Sequence, residues 1–296
     1  NPAFPHEERA PGHGSVWENE CTGWTRSTPT GRAGRPCAGY GRRMQRGDIR
    51  YARAGEHHIA YREYVGDDGD LEIVMVNAQN FPMESLPDDP VFARLIEGLA
   101  GLGRLVLFDR RGIALSDPIT DWDTPMFEQW ADDLAAVIGD VGYERPAVVS
   151  WCDRPVARAC AVRNPDLIGS LVLYNPTSPT NESDAAWIRR WWAHMKRVRA
   201  GEHLDDPGRL GRGDEPSFRA WIDEAGRLGA SPRQAERLAR TILTDPPLDN
   251  ALVTTPTLVI TRSPVDPLIP AEFVRRAAAQ IAGAQLADLG VGDGFI

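Results

Sequence analysis

Residues 71–108 read LEIVMVNAQNFPMESLPDDPVFARLIEGLAGLGRLVLF, and this stretch decides the fold. It opens with a continuous apolar run, Leu71 to Val76, of the kind expected where a strand is buried on both faces. Pro90 to Leu102 then places Val91, Leu95, Leu99 and Leu102 at helical spacing, with proline near the start, so a helix is expected there. Leu105 to Phe108 is a second short apolar run. Strand, helix and strand in this order make a βαβ unit, which calls for parallel strands and a right-handed crossover.

The pattern continues on both sides. Upstream, Ile49–Arg53 and His58–Val65 alternate as two short strands around Gly55-Glu56, a hairpin signal. Downstream, Pro125–Val141 follows Thr124, the expected N-cap, and is amphipathic through Phe127, Trp130, Leu134, Val137, Ile138 and Val141. Ala147–Ser150, Ser170–Tyr174, Thr257–Thr261 and Gln285–Leu289 read as further strands, and Pro155–Arg163 and Glu272–Ile281 as helices. The expected fold class is therefore α/β, a mostly parallel central sheet with helices on both faces.

Two stretches break the rhythm. Residues 1–48 are rich in Gly, Pro, Arg, Ser and Thr without a period, and read as a disordered or non-native leader. Residues 177–252 are helical in pattern, rich in Trp and Arg, and lie between two core strands. An insertion at the carboxyl ends of parallel strands sits over the ligand crevice, so these residues are expected to form a helical cap. The core is then 49–176 together with 253–296.

Composition narrows the function. A net charge of −9 argues against a nucleic-acid partner, since phosphates need a basic surface. No run approaches the roughly 20 apolar residues of a membrane span, and no signal-like start is present, so no membrane is expected and the location reads as cytoplasmic. The four cysteines, at 21, 37, 152 and 160, show no metal-binding spacing, so neither a metal nor another cofactor is expected.

The order of elements, with YARAGEHHIAY (51–61), FDRRGIALSDP (108–118), GYERPAVVSWC (142–152), NPDLIGSLVLYNP (164–176) and TPTLVITRSPVDPLIP (255–270), resembles the α/β-hydrolase superfamily over about residues 49–296. The likeness is nearest to actinobacterial hydrolase-like domains of the kind also fused to nucleotide cyclases. It implies a hydrolase of small esters or related acyl compounds, and a small apolar or ester-like molecule as partner.

The family's nucleophile elbow is G-x-S-x-G, where small residues flank a nucleophile on a strained turn. Here it aligns with Ser150-Trp151-Cys152-Asp153-Arg154, which puts Cys152 at the apex and a bulky Arg154 where a small residue belongs. Cys152 reads either as a thiol nucleophile or as an inert buried thiol in a decayed elbow. Asp153 is the alternative nucleophile of related branches, or a first-turn carboxylate favoured by the helix dipole. Asp266 falls at the position of the triad acid, or is an ordinary Asp-Pro turn.

The base is the departure. In this fold it follows the acid in chain order, yet none of the six histidines does, and Gly294 stands at the expected place. His194, in the cap, is the substitute candidate or a surface residue, and His57 and His58 lie in the hairpin turn. Backbone donors for an oxyanion are expected from Ala78, Gln79 and Asp153, with a simple polar turn as the other reading of the loop after 77. Trp151, Trp187 and Trp191 are expected to border the pocket, the cap tryptophans also reading as packing residues. Ile296 falls where the family continues into a final helix, so the sequence reads as a fragment of a longer chain, and a C-terminal fused domain is consistent with that reading. Two functions remain open at this stage: a cysteine hydrolase, and a catalytically inactive ligand-binding or regulatory module.

Overall fold

The computed structural model describes residues 44–66, 69–77, 81–151, 155–176, 215–261 and 271–289, with positions 186, 189 and 193 inside the insertion. All of them fall within one compact unit, Arg42–Ile296.

Eight strands form one sheet. In chain order they are β1 (Gln45–Ala54), β2 (His57–Val65), β3 (Leu71–Asn77), β4 (Gly103–Phe108), β5 (Ala147–Trp151), β6 (Ser170–Tyr174), β7 (Thr257–Thr261) and β8 (Gln285–Asp288). Their spatial order is β1-β2-β4-β3-β5-β6-β7-β8. β1 and β2 form the hairpin read from the sequence, pairing Ala54 with His57, and β2 runs antiparallel to β4. All remaining pairs are parallel. The hairpin turns at Gly55, whose φ of +63° is a conformation that side-chain-bearing residues resist. Gly103 begins β4 with φ +153°, and a Cβ there would stand 2.1 Å from the Leu71 carbonyl oxygen, so only glycine lets the two parallel strands start side by side.

The central strands are apolar throughout because both faces are covered: Val74, Met75, Val76, Leu105, Val106 and Leu107 are all at most 2% exposed. The covering helices are α1 (Pro90–Ala100), α2 (Met126–Val141), α3 (Val156–Arg163) and α6 (Ala271–Gln280). Right-handed crossovers fix their sides. The β3-to-β4 step runs one way along the sheet and the later steps run the other, so α1 covers the face opposite α2, α3 and α6. Within the insertion lie α4 (Pro216–Gly229) and α5 (Pro232–Thr244).

Three sequence expectations need correction. β1 starts at Gln45, not Ile49, so residues 45–48, assigned by composition to the leader, are sheet. They are held by tertiary bonds that composition does not encode: Arg62 donates to the Gly47 carbonyl, and Arg46 reaches Glu84 at 2.7 Å. The helix read over Pro90–Leu102 ends at Ala100, and its fully buried stripe is Phe92, Ile96 and Ala100, with Leu95 and Leu99 half-buried against the core beside it. This helix is apolar on neighbouring stripes, and the bulkiest side chain, Phe92, takes the inward place. Finally, Thr124 does not cap α2. Pro125 holds that position without a side-chain bond, and the cap comes from Asp245.

Candidate functional site

Strand order reverses at β3. The chain leaves it for β4 on one side and returns to β5 on the other, so the crevice outside the carboxyl ends of β3 and β5 is the topological switch point, where ligands bind in such sheets. The last residues of the two strands, Asn77 and Trp151, are direct partners in the register, and Tyr174 at the end of β6 pairs with Trp151 on its other side.

Aromatic side chains surround this point. Trp151 is 2% exposed and meets Phe92 edge to face, with centroids 5.0 Å apart at 77°. Phe92 in turn touches Trp221 of α4 at 5.3 Å, and Trp221 contacts Phe81 at 5.1 Å and Phe218 at 5.5 Å. Trp221 Nε1 donates to the Ser85 carbonyl at 2.7 Å. The insertion is thus joined through Trp221 to the segment that follows β3. Where α4 meets the segment after β3 there is a groove of about 260 Å³ bordered by Ser85, Asp88, Trp221, Glu224 and Leu228. It falls below the usual size of a ligand pocket and carries two carboxylates, Asp88 and Glu224.

The loops after β3 and β4 are tied by buried polar groups. Asn77 Nδ2 donates to the Phe81 carbonyl at 3.2 Å. Asp109, 1% exposed, accepts the Met83 N–H at 2.7 Å and the Leu115 N–H at 3.3 Å. Burial raises its carboxyl to about 6, against the lowering effect of those two N–H groups. Arg111 forms a buried fork on Asp133 of α2 at 2.6 and 2.8 Å, and Arg110 lies 3.9 Å from the Trp130 ring centroid.

Of the residues singled out from sequence, Trp151 sits at the switch point as a core side chain. Ala78, Gln79, Cys152, Asp153, Trp187, Trp191, His194, Asp266 and Gly294 lie outside the described residues. His57 and His58 open β2. Because β2 is antiparallel to β4, this turn is on the carboxyl side of the sheet, but three strand positions from β5, roughly 14 Å away at the usual strand spacing. There His57 Nε2 lies 3.0 Å from Thr120 Oγ1, and His58 Nδ1 lies 3.1 Å from Asp117 Oδ2. Among the described residues no group of three or more His, Cys, Asp or Glu side chains could hold a metal ion. Sequence reasoning missed Phe81, Phe92, Asp109, Phe218 and Trp221. A signal for the α4 pair existed: Phe218, Trp221, Ile222 and Ala225 follow the i, i+3, i+4, i+7 pattern of a buried helix face.

Comparison with solved structures agrees with this architecture. The chain is similar to a hydrolase from Pseudomonas aeruginosa, with 21% identity and a TM-score of 0.60 over 82% of this chain and 90% of that one. It is similar to a thermophilic esterase from Thermogutta terrifontis, at 20% identity and TM-score 0.58, covering 82% and 90%. An enol-lactonase from Burkholderia xenovorans matches at 20% identity and TM-score 0.59, covering 81% and 91%. No protein-family model matches the sequence, and no curated protein is significantly similar to it. The chain has the α/β-hydrolase fold. Among the described residues no helix is long and apolar enough to cross a membrane.

Proposed function

We propose that this protein binds a small apolar or ester-like molecule at the ends of β3 and β5 and hydrolyses it with Cys152 as nucleophile and Asp266 as the triad acid. The pairing of Asn77 with Trp151 carries this reading, because Cys152 directly follows Trp151 and the proposed backbone donors Ala78 and Gln79 directly follow Asn77. A nucleophile and its oxyanion donors must converge within about 3 Å of one reacting atom, and two strands ending side by side supply the start of that convergence. In the proposed reaction the Cys152 thiol gives up its proton as its sulfur adds to the ester carbonyl. The departing alkoxide takes up a proton and leaves as the alcohol, with a thioester left on Cys152. Water then cleaves the thioester, releasing the acid and the thiol. The N–H of Asp153 would be the second donor to the oxyanion. The solved relatives named as an esterase and an enol-lactonase support the reaction class, each for its own substrate.

A second reading is favoured by one observation: no histidine follows Asp266, and Gly294 stands where the base is expected. Without an imidazole the thiol lacks the usual acceptor for its proton near neutral pH. The protein would then be an inactive hydrolase-like module that binds a ligand and regulates a fused domain.

Hydrolysis of short-chain p-nitrophenyl esters by the chain and by Cys152→Ala separates the two. Turnover that disappears in the variant supports the cysteine hydrolase. Absent or unchanged turnover, together with saturable ligand binding, supports the inactive module.

A further inference from the structure

Asp109 holds two loops at once, and those two loops are the ones on which α4 rests. Its Oδ1 takes the Met83 N–H at 2.7 Å, and two residues further along Ser85 gives its carbonyl to Trp221 of α4. Its Oδ2 takes the Leu115 N–H at 3.3 Å, and the preceding residue, Ala114, donates its own N–H to the carbonyl of Gly229, the last residue of α4, at 2.8 Å. One carboxylate at the end of β4 therefore organises the landing points of both halves of α4. The same segment, 81–85, borders the crevice through Phe81 and its contact with Trp221.

We propose that Asp109 is a positioning residue that couples the crevice to α4: its ionised form accepts from both loops with charge-assisted bonds, so α4 docks less firmly once Asp109 takes up a proton. An ionised carboxylate is acceptor-only, whereas protonation turns one oxygen into an O–H donor and a much weaker acceptor. The proton goes to Oδ2, whose bond is the longer, and Leu115 is released first. Burial raises this carboxyl to about 6. The charged groups acting on it are Glu84, from the segment after β3, which favours the proton, and its own neighbour Arg110, which opposes it. The coupling thus changes in mildly acidic solution. Its effect on turnover rests on the hydrolase reading above, but its effect on α4 does not.

Hydrogen exchange of the whole chain, read by mass spectrometry at about pH 5 and about pH 7.5 and corrected for intrinsic rates, tests this. Peptides covering 81–85, 113–116 and 216–229 should exchange about tenfold faster at the lower pH, as loss of one hydrogen bond to a charged group implies. In Asp109→Asn the same peptides should exchange fast at both pH values. Equal protection of the wild type at the two pH values overturns the proposal, and this comparison does not depend on any variant folding. A pH response that survives in a folded Asp109→Asn also overturns it. If the exchange response is present while esters are not hydrolysed, the coupling stands and the hydrolase reading falls. If esters are hydrolysed, the acid limb of the rate profile should be lost in Asp109→Asn.

Discussion

Asp245 caps α2 from far along the chain: its Oδ2 accepts the Met126 N–H at 3.0 Å across 119 residues. Asp245 directly follows α5, so the last helix of the insertion is fastened to the first turn of a core helix. Two further bonds run the same way. Arg237 of α5 lies 4.0 Å from the Trp122 ring centroid, and Gln234 donates to the Gly112 carbonyl. A carboxylate here also meets the positive end of the α2 dipole.

Replacing Asp245 with alanine should therefore destabilise the protein by about 1–2 kcal/mol, the range for a lost cap. Asparagine should cost much less. Its amide oxygen still accepts from Met126, and burial and the nearby Glu128 already disfavour the charge and raise the Asp245 carboxyl. Urea denaturation of the three proteins measures this. Equal losses for alanine and asparagine would show that the charge, not the hydrogen bond, supplies the stability.

The Arg111–Asp133 fork is buried on both sides, with Asp133 fully inaccessible. Asp133→Ala should cost roughly 3–5 kcal/mol, because it leaves a guanidinium buried without its partner. Combining it with Arg111→Met should recover part of that loss, since the stranded charge goes too. Strictly additive effects in the double-mutant cycle would mean that the pair is not coupled.

Cys160 lies on α3 and is fully buried, and burial pushes its thiol up to about 12. At about pH 8 it should stay unlabelled by iodoacetamide in the native protein and react only after denaturation, because the thiolate is the reacting form. Peptide mapping separates it from Cys152, which should react in the native state if it serves as the nucleophile. Labelling of native Cys160 would place it in a more open setting than α3 provides.

The sheet was readable in the chain because each buried strand announces itself. LEIVMV, RLVLF and SLVLY are apolar runs of strand length, bounded by turn residues. The site was readable only as far as its strands. Trp151 closes β5, which the apolar run before it announces, but its aromatic company is not legible, since Phe92, Phe81 and Trp221 come from three separate segments. The cap of α2 failed for the same reason. Thr124 is a sound local choice, but it lost to a carboxylate that only the folded insertion delivers. Asp109 stands in the sequence only as part of FDRRGIALSDP (108–118), and its role emerges from two backbone N–H groups that no spacing rule links.

Asp109 also makes a stability prediction with a definite sign. Its folded value, about 6, lies above the ordinary 3.8, so between those values the folded protein holds more of this proton than the unfolded chain does. Stability from this group is therefore full below about pH 3.8, declines as pH rises to about 6, and stays level above that. The decline is roughly 3 kcal/mol at most, from a little over two units at 1.4 kcal/mol each. Asp109→Asn cannot titrate and lacks the decline, while every other group titrates alike in both proteins. Release of α4, which leaves Asp109 buried but without its N–H donors, is a separate equilibrium that hydrogen exchange reads. Urea melts from pH 4 to pH 7 read global unfolding, in which Asp109 leaves its burial, and should show the stability of the wild type relative to Asp109→Asn falling as pH rises. An advantage that is constant over this range would mean that Asp109 stays ionised throughout, and a growing one would reverse the sign of its burial effect.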